Sequence, residues 1–187
     1  MSAETGQAAD TELIRSSATG DRAAFDELVV RHQAAVFRFT RTMASDSTAA
    51  EDALQETFLA AWRGAKGFRG ESSVRGWLLA IARHAVNRQV RRRVGEPRDF
   101  ASLDELAEHA GWGDPEQVAV QNQTRERLQD ALESLSSEDR EVLLLRELEG
   151  LTGEETASLL QISMEAMKSR LHRARLRLAA RLMKVPA

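Results

Sequence analysis

Apolar residues recur every three or four positions along most of this chain, a spacing that places them on one face of an α-helix. The first clear stripe comprises Phe25, Leu28, Val29, His32, Val36, Phe39 and Met43. A second helix is predicted to begin near Ser47 or Thr48, because Thr48 and Glu51 have the spacing of a capping box. A third is predicted over residues 73–93. The pattern therefore predicts an all-α fold, helical from about residue 10 onward.

A helix, a tight corner and a second helix are predicted between residues 151 and 182. Thr152 and Glu155 have capping-box spacing, in which the hydroxyl and the carboxylate each bind a free amide of the first turn. Gln161 to Ser163 supply the corner, and Ser163 is a favourable cap for the following helix. That helix is predicted to bury one stripe, formed by Met164, Met167, Leu171, Ala174, Leu178 and Leu182. The arrangement is a helix-turn-helix.

The face opposite this stripe is polar and basic. On it lie Glu165, Ala166, Ser169, His172 and Arg173, with Lys168 and Arg170 at its margins. No acid follows Glu165, whereas seven bases do, namely Lys168, Arg170, Arg173, Arg175, Arg177, Arg181 and Lys184. The solvated face of an ordinary helical hairpin is the alternative, but such a face rarely lacks acids. The pattern therefore favours binding in the DNA major groove.

The helix before residue 64 has two distinct arcs. One arc is predicted to be core and comprises Ala50, Leu54, Phe58, Ala61 and Trp62. The opposite arc comprises Asp52, Gln55, Glu56, Leu59 and Arg63. Carboxylates and an amide around an exposed leucine are typical of a docking surface with an apolar anchor and a polar rim. A solvated face with one stray leucine fits the pattern equally well, so both interpretations stay open.

The next segment combines a loop with a basic helix. The loop comprises Phe68, Arg69, Gly70, Glu71, Ser72 and Ser73, and the helix carries Arg83, His84, Asn87 and Arg91 on one face. An aromatic ring, a flexible glycine and small hydroxyls beside basic residues could receive unstacked bases of a single strand. Phe68 and Trp77 could instead be plain core aromatics. For Trp77 the core interpretation is favoured, because it adjoins the apolar arc.

Charge is unevenly distributed along the chain, although the net charge is only -3. Six arginines and no acid lie between Glu71 and Glu96. From Glu96 to Glu141 there are thirteen acids and four arginines, a net charge of -9. Two basic regions separated by an acidic one suggest two contact points on a polyanion.

The acidic region also marks the predicted domain organisation. Gly111, Gly113 and Pro115 lie in it and favour loop structure. We predict two small helical domains, residues 10–94 and residues 123–187. A flexible acidic linker, residues 95–122, is predicted to join them.

Composition disfavours several functional classes. The chain has no cysteine, which excludes disulfides and thiolate metal sites. Its four histidines are scattered without metal-ligand spacing, and no glycine-rich phosphate loop occurs. We therefore expect no metal, no cofactor and no enzymatic activity. The acidic start lacks the pattern of a signal peptide, and no apolar stretch is long enough to cross a bilayer. A cytoplasmic protein without stable membrane insertion is expected.

Three segments, in this order, resemble the motifs of one bacterial family. They are AEDALQETFLAAWR at 50–63, FRGESS at 68–73 with GWLLAIARH at 76–84, and LLLR at 143–146 with MKSRLHRAR at 167–175. The chain from about residue 10 to residue 182 is similar to the extracytoplasmic-function sigma factors. These form the compact branch of the sigma-70 family, with only the second and fourth conserved regions. The resemblance implies a promoter-specificity subunit of RNA polymerase with no chemistry of its own.

The resemblance also implies a role for each of three surfaces. Core RNA polymerase, through the coiled coil of its largest subunit, is expected to bind Asp52, Gln55, Glu56 and Leu59. The minus-ten promoter element is expected to contact Phe68, Arg69, Gly70, Glu71, Ser72, His84, Asn87 and Arg88. The bases of the minus-thirty-five element are expected to contact Lys168, Ser169, His172 and Arg173. Its phosphates, which position without specifying, are expected to contact Arg170, Arg175 and Arg177.

Some positions depart from the family pattern. Gly153 and Thr156 replace a large apolar or aromatic residue and an isoleucine at the start of the helix-turn-helix. Gln161 stands where a glycine often makes the turn, and a non-glycine residue in a left-handed conformation carries strain. His84 replaces a frequent asparagine, so the promoter preference of relatives does not transfer to this chain.

Regulation and the competing function complete the expectations. The family habitually pairs with anti-sigma factors, and the chain shows no sensor domain, so an anti-sigma factor is expected to hold it inactive. Folding of the acidic linker onto the basic helices is the less favoured mechanism.

A stand-alone helix-turn-helix regulator is the competing function. Such a protein would need a sensing or dimerising domain, which residues 10–94 do not resemble.

Overall fold

The computed structural model describes residues 2–92, 128, 130–132 and 134–183. The chain divides into two compact units, with the division between Asp99 and Phe100. Helices, turns and loops make up the described residues, and no strand occurs among them, which confirms the all-α fold. The predicted linker, residues 95–122, lies outside the described residues, and the exact domain boundaries stay a prediction.

The described part of the amino-terminal unit, unit 1, has four α-helices and one 3-10 turn. They are α1 (Ser2–Ala18), α2 (Arg22–Met43), α3 (Ser47–Gly64), the 3-10 turn (Ala65–Gly67) and α4 (Val74–Arg92). Helix α1 begins well before residue 10, where helical structure was predicted to start. Gly20 adopts a φ of 100° between α1 and α2, and Asp21 then caps α2.

The core of unit 1 combines large apolar side chains with alanines. Ile14 of α1, Phe39 of α2 and Leu79 of α4 are at most 1% exposed. Where α3 meets α4, Ala53 and Ala85 are both fully buried. Because alanine adds only a methyl group, the two helix backbones can approach closely. This contact fixes the positions of the outward faces of α3 and α4 relative to each other.

Helix α3 begins at Ser47, as predicted, but its cap differs from the predicted one. Asp46 is the N-cap, since its carboxylate accepts a hydrogen bond from the backbone N–H of Ala49 at 2.8 Å. The predicted capping box of Thr48 and Glu51 is therefore wrong. Aspartate is as good a cap as serine or threonine, and here it lies two positions earlier, so the helix begins at Ser47.

The predicted core arc of α3 is confirmed at Ala50 and Ala61, which are fully buried, but not at its three larger members. Leu54, Phe58 and Trp62 are only partly buried. Phe25 of α2 packs edge-on against Phe58 and Trp62, with ring centroids 6.5 and 5.1 Å apart. Thr57 is fully buried instead, because its hydroxyl donates to the backbone carbonyl one turn earlier at 2.6 Å. Local pairing of the hydroxyl removes the cost of burying it.

The described part of the second unit, unit 2, has three α-helices and a π-helical turn. They are α5 (Ser137–Leu143), the π turn (Leu144–Leu148), α6 (Gly153–Leu160) and α7 (Met164–Met183). Leu145, Leu151 and Ala174 are at most 2% exposed and mark the centre of its core. Helix α7 packs against both α5 and α6.

The buried stripe of α7 ends earlier than predicted. Met167, Leu171 and Ala174 are buried, and Leu178 is half-buried, but Leu182 is 42% exposed. The prediction that Leu182 is buried is wrong. Helix α7 has 20 residues, whereas α5 and α6 have 7 and 8. At 1.5 Å per residue, the carboxyl-terminal part of α7 extends past the helices that cover its first turns.

Candidate functional site

A shallow groove runs along the outward faces of α3 and α4 in unit 1, and we call it the docking groove. It is lined by Asp52, Gln55, Glu56, Leu59, Ala60, Arg63, Gly64, Arg88 and Gln89. All four residues predicted to bind polymerase thus line one surface. Leu59 is 55% exposed, so a large apolar side chain in this groove is open to a partner.

Arg88 links the docking groove to the predicted DNA-binding helix. Its Nη2 atom donates to Oε1 of Glu56 at 2.6 Å, and the two side chains are 51% and 40% exposed. The family resemblance implied a minus-ten contact for Arg88 and a polymerase contact for Glu56. The ion pair could not be predicted from the sequence, because the two residues lie 32 positions apart along the chain.

The predicted minus-ten loop is anchored at both ends. Phe68 packs edge-on against Trp77, with ring centroids 5.4 Å apart, and both rings are half-buried. Ser73 accepts a hydrogen bond from the N–H of Gly76 at 3.1 Å and so starts α4. Between these anchors, Arg69 and Glu71 are about four-fifths exposed and 3.8 Å apart. The two aromatics are therefore packing residues that support an open loop tip.

Gly70 and the face of α4 complete this surface. Gly70 has a φ of 72°, a left-handed conformation that glycine adopts without steric cost. Ser72, the remaining predicted loop residue, is half-buried. On α4, His84, Asn87 and Arg88 are all exposed. Three and four positions separate them, so they lie on one face of the helix.

The helix-turn-helix of unit 2 forms as predicted. Thr152 accepts from the N–H of Glu155 at 3.1 Å, and Glu155 accepts from the N–H of Thr152 at 2.9 Å, which completes the capping box. Gln161 adopts the left-handed conformation, with φ 58° and ψ 44°. Ser163 accepts from the N–H of Ala166 at 3.1 Å and caps α7. The corner is therefore closed by a non-glycine residue that carries backbone strain.

Four predicted base-contacting residues form one exposed surface on α7, which we call the recognition face. Its members are Lys168, Ser169, His172 and Arg173. Arg173 donates through Nη1 to the hydroxyl of Ser169 at 2.7 Å, which extends the guanidinium along the helix. Among the described residues, Lys168 and Arg173 form no ion pair. Two cations on this face are thus available to a polyanion.

The three arginines predicted to contact phosphate are paired within unit 2. Each one meets an acid of α5 or of the π turn; the pairs are Arg170–Glu138 at 3.6 Å, Arg175–Glu147 at 2.5 Å and Arg177–Asp139. Ser136 also caps α5 at the N–H of Asp139, but the carboxylate of Asp139 goes to Arg177. The basic half of α7 is therefore partly neutralised from within the unit, which no sequence pattern indicated.

A partly buried cluster of His32, Asp10 and Arg31 fastens α1 to α2. His32 is 4% exposed, and its Nε2 lies 2.9 Å from Oδ2 of Asp10, whose other oxygen accepts from Arg31 at 3.0 Å. Burial lowers the pKa of His32, and this effect outweighs the carboxylate of Asp10, which acts in the opposite direction. The ring is therefore neutral near pH 7, with Nε2 donating to Asp10. The helical periodicity placed His32 on an apolar stripe but gave no sign that Asp10 would be its partner.

The described residues form neither a membrane-spanning helix nor a metal-ion site. Every helix in the described ranges is too short or too polar to cross a membrane. In the same ranges, no group of three or more histidine, aspartate and glutamate side chains has the geometry to hold a metal ion.

Comparison with known proteins gives the same family for both units. Residues 28–95 match the family described as Sigma-70 region 2, and residues 125–178 match Sigma-70, region 4. The ECF RNA polymerase sigma factor SigM of Mycobacterium tuberculosis is 35% identical over 170 residues, which are 91% of this chain and 83% of that protein. RNA polymerase sigma factor CnrH of Cupriavidus metallidurans is 31% identical over 180 residues, 92% of this chain and 93% of that protein.

Solved structures agree with these sequence relationships. The structure of CnrH in complex with the cytosolic domain of CnrY matches with a TM-score of 0.67 and 30% identity, over 92% of this chain and 96% of that one. The sigma factor RpoE in complex with the anti-sigma factor NepR from Bartonella quintana matches with a TM-score of 0.64 and 27% identity, over 87% and 98%. Two sigma-70 regions in order, with identity along most of the chain, establish that this protein belongs to the extracytoplasmic-function sigma factors of the sigma-70 family.

Proposed function

We propose that this sigma factor directs promoter-specific initiation through three surfaces with separate ligands: the docking groove, the loop with the α4 face, and the recognition face. The observation that carries the proposal is the recognition face, an exposed and unneutralised basic surface on the second helix of a helix-turn-helix. The proposal assigns binding to the chain and no reaction. Because its proposed ligands are core RNA polymerase and promoter DNA, we also propose that it acts in the cytoplasm.

The docking groove is proposed to bind core polymerase. Asp52, Gln55 and Glu56 would supply polar contacts around Leu59, whose exposed side chain would become buried in the interface. A partner helix with basic and apolar side chains fits this chemistry, because it can pair with the carboxylates and cover the leucine. A partner helix of this kind agrees with the polymerase element that the resemblance implied, the coiled coil of the largest subunit.

Unit 1 is further proposed to hold the minus-ten element as a single strand. Arg69, Gly70, Glu71 and Ser72 form the loop tip, which Phe68 supports through its contact with Trp77. The absence of a side chain at Gly70 leaves room for a base beside the backbone. Contacts from α4 to the strand are assigned to His84, Asn87 and Arg88.

The recognition face is proposed to bind the minus-thirty-five element in the major groove. Arginine and lysine are the usual hydrogen-bond donors to guanine, and serine can form a hydrogen bond with any of the bases. Arg173, held along the helix by Ser169, is therefore the principal base-contacting residue in this proposal. His172 and Lys168 flank it. Arg170 and Arg175, whose acidic partners are exposed, are assigned to phosphates.

Run-off transcription with purified core polymerase tests the whole proposal. Core polymerase with this protein should select and transcribe specific sequences from a randomised promoter library, and core alone should not. A stand-alone regulator would instead bind duplex DNA equally well without polymerase, which gel shift would detect. Specific DNA binding that is independent of core would contradict the proposed function.

The docking assignment has a separate test with a matched control. Replacing Asp52 and Glu56 by lysine should abolish binding to core polymerase while circular dichroism shows the fold intact. Asp26→Lys reverses one acidic charge, half the charge change of the double variant, at an exposed position of α2 outside the docking groove, and it should leave binding intact. Unchanged core affinity of the double variant would refute the assignment.

We also propose that an anti-sigma factor controls this chain. Two relatives with similar structures are described in complex with the cytosolic domain of CnrY and with the anti-sigma factor NepR. A protein covering the docking groove would prevent assembly with polymerase. Purification from the native host should recover a stoichiometric small partner that is released on induction and inhibits run-off transcription when added back. Full activity with no partner, rising when the acids of residues 96–115 are neutralised, would instead support inhibition by the linker.

A further inference from the structure

Arg177 pairs with a buried acid, which distinguishes it from its neighbour Arg175. Nη1 of Arg177 donates to Oδ2 of Asp139, whose side chain is only 6% exposed. The partner of Arg175 is Glu147, whose side chain is 46% exposed. Water can therefore replace an arginine at Glu147 far more readily than at Asp139.

Burial of Asp139 decides whether Arg177 is free to move to DNA. An exposed ion pair contributes little, because water solvates both charges when they separate. A buried carboxylate that loses its cation keeps its desolvation cost without compensation. The position of Asp139 in the first turn of α5 offsets part of that cost, since a helix amino terminus favours negative charge. The remaining penalty opposes transfer of Arg177 to a phosphate.

The pair also lies where apolar packing of α7 ends. Ala174 is the last fully buried residue of the stripe, and Leu178 is only half-buried. Arg177 therefore joins α7 to α5 just beyond the last fully buried residue of the helix. A fixed bond at this point restricts rotation of α7 about its axis, and so sets the direction of the recognition face.

We propose that Arg177 is a positioning residue for promoter recognition, locked to Asp139 in the free and the DNA-bound protein, and not a phosphate contact. This inference rests on the proposed function, in which α7 binds DNA. It corrects the expectation from sequence, in which Arg177 contacted phosphate together with Arg170 and Arg175. Arg170 and Arg175 keep that assignment, because water can solvate their exposed partners.

Salt dependence of DNA binding separates the two roles. A phosphate contact adds about 0.9 to the slope of log affinity against log salt, which is about 3.5-fold between 50 and 200 mM. The assay uses the full chain assembled with core polymerase and a promoter duplex that this holoenzyme selects. Arg177→Ala should weaken binding by the same factor at both salt concentrations. Lys168→Ala, on the recognition face, should lower the slope and so shows that the assay detects the loss of one charge.

Calorimetry of the full chain tests the ion pair itself. Arg177→Ala should lower the unfolding midpoint of unit 2 by at least about 4 °C, the scale expected for a small domain that loses one substantial interaction. Adding Asp139→Asn, which removes the uncompensated charge, should restore most of the midpoint and most of the DNA affinity. Arg177→Lys should keep both. Arg181→Ala, one turn further along the same helix and without an ion pair among the described residues, should leave the midpoint unchanged.

Two results would overturn the proposal. A salt slope lowered by about 0.9 in Arg177→Ala, and still lowered after Asp139→Asn is added, would identify a phosphate contact. An unchanged midpoint and affinity in Arg177→Ala would show that the pair positions nothing. Absence of promoter binding by the wild-type chain together with core polymerase would refute the proposed function instead, and the calorimetric comparison would still decide whether the pair exists.

Discussion

Leu59 offers the most direct test of the docking groove, because it is the large apolar side chain exposed there. Burying a whole leucine side chain stabilises by about 1.5–3 kcal/mol. Leu59 is already 45% shielded in the free protein, since 55% of it is exposed. Covering the rest in an interface should therefore contribute about 0.8–1.6 kcal/mol. At 1.4 kcal/mol per tenfold change in affinity, Leu59→Ala should weaken core binding by about 4- to 14-fold.

Val30 supplies the matched control for this measurement. It is 64% exposed on α2 and does not line the docking groove. Val30→Ala removes a comparable exposed apolar side chain and should leave the affinity for core polymerase unchanged. Both variants should melt close to the wild-type temperature, because neither side chain belongs to the core.

Titration of labelled protein with purified core polymerase gives the dissociation constants directly. A loss within the expected range for Leu59→Ala, with none for Val30→Ala, would support a buried leucine anchor. Equal affinities of Leu59→Ala and wild type would show that the leucine stays exposed in the complex. The groove would then have to bind through its charges alone, and the area-based reasoning would be refuted.

Three further predictions concern stability and specificity. Burial lowers the folded-state pKa of His32 below its ordinary value of 6.5. Unit 1 should therefore be most stable above about pH 6.5 and lose stability as the pH falls below it. His32→Gln, which can still donate to Asp10, should flatten this fall in a plot of melting temperature against pH. Gln161→Gly should stabilise unit 2 by about 0.5–1 kcal/mol, because glycine adopts the left-handed backbone conformation without strain. Gly150→Ala, at a φ of 66°, should destabilise unit 2 by a similar amount in the same calorimetric assay. Arg173→Ala should cost about 1–3 kcal/mol of base discrimination when the protein, assembled with core polymerase, selects from promoters randomised in the upstream element. An equal loss on all sequences would contradict its base-contacting role.

Most features that depend on neighbouring residues were predictable from the sequence alone. The capping box of Thr152, the left-handed corner at Gln161 and the cap at Ser163 each involve positions within four residues of one another. Helical periodicity likewise identified which residues of α3 face outward. Such features follow from backbone geometry and local hydrogen bonding, and so they are visible in the sequence. The family motifs had the same local character.

Which charges remain available to partners depends on how the helices pack. His32 meets Asp10 across 22 positions, Arg88 meets Glu56 across 32, and Arg177 meets an acid 38 positions away. A count of charges along the chain gives every arginine of α7 the same weight. Helix packing brings acids of α5 and the π turn to some of them and none to the recognition face, because the pairing of distant charges depends on which helix faces meet.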